Sequence, residues 1–228
     1  MLLCNTNLLN GSEAAIVLGA GALSVAGVAF ALLAATMARK VTDIVGMAGG
    51  VVILVTGITH LAPEALSAGN VSLAFLVAGA VAGIVLELIF RARSGRSEAA
   101  AHKGAWLGIA ILAVHSTLDG AVYTAVFWHS HDSGLMTSLG LILHEAPEGV
   151  VAMALALRAG LKPAVAALVA VMASSLTTPL GWVIAHAVGD VGRPVMEPMF
   201  AASAGLLLYV GWHLLSDGWR SLRARKQA

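Results

Sequence analysis

The chain alternates between long apolar stretches and short polar connections, none of them longer than about a dozen residues. A helix needs roughly 20 apolar residues to cross a bilayer. Seven stretches meet that length, and they cover residues 14–37, 43–66, 71–91, 104–128, 134–158, 163–187 and 196–217. The pattern therefore predicts an all-α fold, in which residues 1–228 form one transmembrane domain, a polytopic bundle of about seven helices.

The composition supports a membrane protein. Hydrophobic residues make up 59% of the chain and charged residues 11%, whereas about 25% of the residues in a soluble domain are charged. The single cysteine, Cys4, excludes an internal disulfide framework and a cysteine zinc site. No basic segment precedes the first apolar stretch, so we expect it to be retained as a transmembrane helix and not cleaved as a signal peptide.

The basic residues predict the orientation. In a seven-span arrangement twelve of the thirteen fall on one side, at positions 39, 40, 91, 93, 96, 103, 158, 162, 220, 223, 225 and 226, and Arg193 falls on the other. Because basic loops stay in the cytoplasm, the N-terminus is predicted outside and the C-terminus in the cytoplasm. We expect a multi-pass protein of the cell membrane, the bacterial inner membrane, with the lipid bilayer and no nucleic acid among its partners.

Predicted helices 4 and 5 carry ionisable side chains in their apolar middles. The segments are His115-Ser-Thr-Leu-Asp119-Gly and His144-Glu-Ala-Pro-Glu148-Gly. Each places an imidazole and a carboxylate four residues apart, on one face of its helix. At a rise of about 1.5 Å per residue, all four groups lie near the middle of the bilayer. Such groups must converge on each other, on water or on a cation.

The sequence provides no basic side chain at that depth. With Glu145 the group holds three carboxylates, which would leave a formal charge near −3, so protons or a bound metal must compensate. Two imidazoles with carboxylates suit Zn²⁺, Fe²⁺ or Mn²⁺ better than Ca²⁺ or Cu⁺. Pro147 is expected to kink helix 5 at Leu143, and Gly120 and Gly149 to let helices 4 and 5 approach closely. The alternative is a polar network that only stabilises the bundle.

These two motifs resemble those of the ZIP family of divalent metal transporters. The segments His60-Leu-Ala-Pro-Glu64-Ala in helix 2 and Phe200-Ala-Ala-Ser-Ala-Gly205 in helix 7, followed by His213, add to the resemblance. It implies that the ligands of the primary transport site are His115, Asp119, His144 and Glu148. It also implies that Ser116 and Glu145 occupy positions that contribute to a second, adjacent metal.

The chain departs from the family pattern in two respects. Thr178 stands where many relatives carry a glutamate for the second metal, and Ser116 stands where an amide is common. We therefore expect one well-made site and a weak or absent second one. The family usually has eight spans and seven are predicted here, so one inverted-repeat half is expected to be incomplete. A homodimer that covers this half is a candidate partner.

The function hypothesis is transport of a divalent metal ion, zinc first and Fe²⁺, Mn²⁺ or Cd²⁺ as alternatives, into the cytoplasm by alternating access. On this hypothesis the metal is a substrate, and the protein is not an enzyme and has no catalytic residues or other cofactor. The first alternative is an intramembrane zinc-dependent hydrolase, although no His-Glu-x-x-His or Gly-x-Ser-x-Gly motif is present. The second alternative is a metal-selective channel with a ring of carboxylates.

Three further groups of histidines and acids allow two interpretations. They are His60 with Glu64, His129 and His131 with Asp132, and His213 with Asp217. The first and the third group either lie on the path of the metal or cap the end of a helix. The second group, in the turn between predicted helices 4 and 5, either collects metal at the entrance or consists of solvated turn residues.

Overall fold

The computed structural model of the protein describes residues 11–37, 39–67, 69–94, 98–129, 135, 138–139, 141–189 and 192–227. Throughout these ranges the chain is helical except for short turns, and no strand occurs in them. The predicted all-α class is therefore confirmed.

Helices follow one another along these ranges, each within one of the predicted apolar stretches or slightly longer. Their bounds are Gly11–Met37 (α1), Arg39–Thr56 continued by a π turn at Gly57–Leu61 and by Ala62–Ser67 (α2), Asn70–Ser94 (α3), Glu98–His129 (α4), Glu145–Arg158 (α5), Pro163–Ala170 continued by a π turn at Val171–Ser175 and by Thr177–Val188 (α6), and Arg193–Gln227 (α7).

Apolar segments long enough to cross a membrane occur in five of the described helices. They are Gly11–Ala35, Asn70–Ile89, His102–Phe127, Pro163–Val188 and Pro194–Arg223. Helix α2 contributes a shorter apolar segment, Ile44–Thr59. The structure thus agrees with a polytopic helical membrane bundle, while the count of seven spans and the orientation stay predictions.

Helix α5 begins later than its predicted range of 134–158. Its regular part begins at Glu145, after a turn at Leu143 and His144. Pro147 is then the third residue of the helix, where a missing N–H costs nothing because first-turn N–H groups have no partner inside the helix. The kink expected at Leu143 is therefore a break, and it places the histidine and both glutamates at the start of α5.

The helices form two bundles. Helices α1, α4, α5 and α6 pack mainly on one another and form the four-helix bundle. Helix α7 packs mainly on α2 and α3, and these make the three-helix bundle. The two bundles meet where α7 contacts α4 and where α2 contacts α5.

Reciprocal glycine contacts hold three of the helix pairs together. In each contact a Cβ on the glycine would overlap a backbone carbonyl oxygen of the other helix. The pairs are Gly27 on Ala146 and Gly149 on Ser24 (α1 with α5), Gly120 on Thr178 and Gly181 on Thr117 (α4 with α6), and Gly79 on Ala202 and Gly205 on Leu76 (α3 with α7). Small residues thus bring backbones together, as is usual for membrane helices.

The expectation that Gly120 and Gly149 bring α4 and α5 together is wrong. Gly120 lies against α6, and Gly149 lies against α1. Each glycine directly follows a carboxylate residue, Asp119 or Glu148, and one residue rotates the direction of a side chain by about 100° around a helix. When the carboxylates face each other between α4 and α5, the glycines must therefore face other neighbours.

Candidate metal centre

Two helices of the four-helix bundle bring four ligand-type side chains together. Helix α4 supplies His115 and Asp119, one turn apart, while α5 supplies Glu148 and is preceded directly by His144. One nitrogen or oxygen atom from each of the four lies within 4.8 Å of the others. None of these side chains is exposed by more than 1%. Such a donor set, at this spacing, is able to hold a metal ion.

Asp119 lies at the centre of this group. Its Oδ2 atom is 2.7 Å from Nε2 of His144 and 3.2 Å from Nε2 of His115. The contact at 2.7 Å is a hydrogen bond, so a proton sits between the carboxylate and the His144 ring. A metal ion held by both atoms would take the place of that proton.

Several buried atoms of the site have no hydrogen-bond partner in the described part of the protein. They are Nε2 of His115, Oδ1 of Asp119, Nδ1 of His144, Oε2 of Glu145 and Oε2 of Glu148. Buried polar atoms are rarely left without a partner, since each costs free energy in an apolar setting. A cation that binds imidazole nitrogen and carboxylate oxygen would satisfy the atoms of His115, Asp119 and Glu148 among these, so the residues present fit a divalent metal.

The site also has no positive charge of its own among the described side chains. The ion pairs of Asp119 run to the two histidines, and none joins a lysine or arginine to the three buried carboxylates. The sequence contains no lysine or arginine from residue 104 to residue 157. Any compensating charge must therefore come from protons or from a bound cation.

Ser116 and Glu145 hold different places from the group of four. The Ser116 hydroxyl donates to Oε1 of Glu148 and also lies 3.1 Å from the Leu112 carbonyl oxygen of its own helix. Glu145 is fully buried, and its Oε1 accepts a hydrogen bond of 3.1 Å from the Tyr123 hydroxyl. Ser116 thus touches a member of the group, whereas Glu145 lies outside it.

Thr178 stands where the resemblance places a glutamate, and its hydroxyl already makes a hydrogen bond. Thr178 is buried, and its Oγ1 donates to the Ser174 carbonyl oxygen, 3.3 Å away in its own helix.

Two residues at the site escaped the sequence analysis. Ser203 on α7 lies 2.6 Å from Nδ1 of His115, and Tyr123 holds Glu145. Tyr123 follows Asp119 by one helical turn, so its spacing placed it on the face of the ligands. Ser203 lies inside the segment 200–205 that carried part of the resemblance, yet nothing in the sequence says which helix it faces.

A second group of charged residues lies in the C-terminal half of α7, at His213 and Asp217. His213 is 3.2 Å from Asp217 and 3.4 Å from Glu87, and Arg158 approaches Asp217 to 3.7 Å. The side chains of His60, Glu64 and His129, together with residues 131 and 132, lie outside the described part of the protein, so their predicted roles stay predictions.

Comparison with known sequences gives a family match over the residues of this site. The sequence profile of the family described as "ZIP Zinc transporter" matches residues 91–217, which include every side chain of the candidate metal centre. The match covers more than half of the chain. The protein belongs to the ZIP zinc transporter family.

Individual ZIP proteins match the chain over a similar region. Zinc transporter ZIP4 of Mus musculus is 41% identical over 98 residues, which are 43% of this chain and 14% of the mouse protein. Zinc transporter ZIP10 of Danio rerio is 34% identical over 106 residues, 46% of this chain and 12% of that protein. Zinc transporter ZIP6 of Homo sapiens is 32% identical over 106 residues, 46% of this chain and 14% of that protein. The matched segment thus spans under a fifth of each relative.

Family membership decides two of the earlier expectations. ZIP proteins are transporters and not enzymes, so the hydrolase alternative has no support. Membership also agrees with the apolar helices in making this ZIP protein a multi-pass membrane protein.

Proposed function

We propose that the protein transports a divalent transition metal, zinc, into the cytoplasm, and that His115, Asp119, His144 and Glu148 are its transport-site ligands. The observation that carries the proposal is the convergence of these four buried side chains within 4.8 Å, with no lysine or arginine paired to them among the described residues. Zinc is favoured because the matched ZIP4 and ZIP10 proteins are named zinc transporters.

The donor set supports a transition metal on chemical grounds. Two imidazoles and two carboxylates supply the four nitrogen and oxygen ligands of a tetrahedral zinc site. The same ligands accommodate Fe²⁺, Mn²⁺ and Cd²⁺, which we propose as competing substrates. A bound dication would offset most of the buried negative charge, which is costly when left uncompensated.

We propose further that the site holds one metal ion at a time. Two contacts support this: the Thr178 hydroxyl donates to the backbone of its own helix, and the Ser116 hydroxyl donates to Glu148. Both hydroxyls are neutral and already hydrogen-bonded, so of these three residues only Glu145 keeps a carboxylate oxygen, Oε2, without a hydrogen-bond partner among the described residues. A structure of the zinc-soaked protein with two fully occupied metal positions would overturn this part of the proposal.

Transport would proceed by movement of the two bundles against each other. All four proposed ligands belong to α4 and the α5 region of the four-helix bundle, so they can travel together without separating. The contacts of α4 with α7 and of α2 with α5 are then the surfaces that slide. The inward direction of net flux rests on the resemblance to the ZIP family and not on any residue of this chain.

Uptake into proteoliposomes tests the proposal. Zinc, iron, manganese and cadmium are offered to the wild type and to His144→Ala and Glu148→Ala, with His186→Ala as a matched control at the outer end of α6, away from the site. The two site variants are expected to lose uptake and the control to keep it. Wild-type rates in both site variants would show that the site is wrong, and uptake that does not saturate would favour a channel.

We also propose the bacterial inner membrane as the location and a homodimer as the assembled form. The one-sided distribution of lysine and arginine supports a membrane with one cytoplasmic face. The homodimer is supported by α3. Only 17% of its apolar segment, Asn70–Ile89, is buried inside the bundle, which leaves an apolar face that a second copy can cover. Chemical cross-linking in native membranes tests the dimer, and a single monomer band would count against it.

A further inference from the structure

One hydrogen bond at the proposed transport site comes from the other bundle. Nδ1 of His115 lies 2.6 Å from the hydroxyl oxygen of Ser203, and each of these side chains is 1% exposed. His115 belongs to α4 in the four-helix bundle, whereas Ser203 belongs to α7 in the three-helix bundle. The contact thus joins a proposed ligand to a helix that carries none of the other three.

The two nitrogens of the His115 ring face different partners. Nε2 points into the ligand group, 3.2 Å from Oδ2 of Asp119, and Nδ1 points at Ser203. A neutral imidazole carries one proton, so Nε2 offers a lone pair to a metal only when the proton is on Nδ1. That proton then needs a buried acceptor, and the Ser203 oxygen provides it.

Removal of the Ser203 hydroxyl would have one of two consequences, each unfavourable for metal binding. Either the Nδ1 proton stays buried without an acceptor, which is costly, or the proton moves to Nε2 and blocks the lone pair that the metal needs. Both outcomes weaken metal binding without removing a ligand. Outer partners of metal-binding histidines typically act in this way.

We propose that Ser203 is a positioning residue that holds His115 in the tautomer and orientation that bind the metal. This inference rests on the proposed transport function. Because Ser203 lies on α7, any movement of α7 away from α4 removes the bond. The affinity of the site for its metal is therefore coupled to the relative position of the two bundles.

A pair of variants with the same shape tests the role of the hydroxyl. Ser203→Thr keeps a hydroxyl. Ser203→Val has a methyl group where threonine has its hydroxyl, and the two side chains have nearly the same volume. Any crowding from the larger side chain affects both variants alike. Zinc affinity of the purified protein, measured by competition with a chromophoric chelator, is expected to be about 10- to 100-fold weaker in the valine variant than in the threonine variant. Equal affinities would overturn the inference.

A double-mutant cycle tests whether Ser203 acts through His115. In a His115→Ala background, the threonine and valine variants are expected to bind zinc equally, because the ring that Ser203 orients is gone. A merely structural role would give the same difference in both backgrounds. Ser24→Ala is the matched control, since it removes a buried hydroxyl of α1 that donates to Ser174 on α6 and not to any of the four ligands.

Transport kinetics give a second readout. In proteoliposomes the valine variant is expected to raise KM for zinc by the same factor relative to the threonine variant, with a smaller change in maximal rate. If the wild type binds no zinc, or if His115→Ala binds zinc as the wild type does, the proposed site is wrong. If the site stands and the Thr and Val variants agree, only the role of Ser203 is wrong.

Discussion

Two clusters in this protein start from the same local arrangement. His115 and Asp119 on α4, and His213 and Asp217 on α7, are each four residues apart, and in each pair the imidazole Nε2 lies 3.2 Å from a carboxylate oxygen. We call the first pair, with His144 and Glu148, the central cluster. We call the second pair, with the residues that contact it, the inner cluster, after the side of the membrane to which the predicted orientation assigns it. Helix geometry alone makes the two pairs equivalent.

The clusters differ in what neutralises the carboxylate. Asp119 is not exposed, and its ion pairs among the described residues run to imidazoles, whereas Asp217 is 31% exposed and lies 3.7 Å from Arg158 and 3.1 Å from Arg220. The inner cluster therefore has positive charge from the protein itself. The central cluster has none among the described residues, and it is the one able to accept a cation as substrate. The source of the compensating charge, and not the spacing of histidine and acid, distinguishes them.

The largest expected effect separates the two aspartates directly. Asp119→Asn should weaken zinc binding by more than about 100-fold, because the loss of even an outer partner of a ligand costs about 10- to 100-fold. Asp217→Asn should change it by less than about twofold, since arginines already occupy that carboxylate. Titration calorimetry of both purified variants measures the difference. Comparable losses in the two variants would mean that the inner cluster also holds the metal.

Zinc should stabilise the protein through the central cluster alone. At a free zinc concentration of 100 times Kd, binding to the folded state adds about 2.7 kcal/mol to the free energy of unfolding. Thermal unfolding in detergent should therefore shift upward with zinc and return on addition of a chelator. The shift should persist in Asp217→Asn and vanish in Asp119→Asn, and a shift in the latter would place the stabilising zinc elsewhere.

The glycines that follow one carboxylate of each cluster should differ in tolerance. A Cβ on Gly149, next to Glu148, would overlap the Ser24 carbonyl oxygen, whereas a Cβ on Gly218, next to Asp217, would overlap side-chain atoms of Met47, Cγ and Sδ, and no backbone atom. Gly149→Ala should cost about 1–3 kcal/mol or more, as overpacking does. Gly218→Ala should cost less than about 1 kcal/mol because the methionine side chain can move.

Unfolding midpoints in detergent check the two glycine variants side by side. Gly104→Ala is the neutral reference, since nothing lies within 4 Å of the Cβ that it would add. If Gly149→Ala unfolds like this reference, the close packing of α1 and α5 is not what holds the central cluster in place.

The smallest effect is expected from Arg158, one of the two arginines of the inner cluster. Arg158→Gln removes the ion pair between α5 and α7, but Asp217 keeps Arg220. Partly exposed pairs of this kind contribute about 0–1 kcal/mol, so the free energy of unfolding should fall by no more than that and zinc affinity should be unchanged. Unfolding and zinc titration measure both, and a loss of several kcal/mol would show that the pair carries the contact between the bundles.

Much of the fold and of the candidate site followed from the sequence. Apolar stretches of the length of a bilayer predicted the helices, because an apolar segment in lipid must satisfy its own backbone hydrogen bonds. The four-residue spacing of His115 and Asp119 placed both on one face of α4, and their depth required a partner for each charge. The convergence of His144 and Glu148 on them was thus predictable, as was a distortion of the helix near Pro147.

Only the tertiary structure decided which surfaces meet. Ser203 reaches His115 across 88 positions of the chain, and Gly120 and Gly149 face α6 and α1 and not each other. Arg158, which approaches Asp217 and helps to set the inner cluster apart, comes from α5. Periodicity determines the direction of a side chain relative to its own helix, but the neighbour that it finds depends on how whole helices rotate and pack.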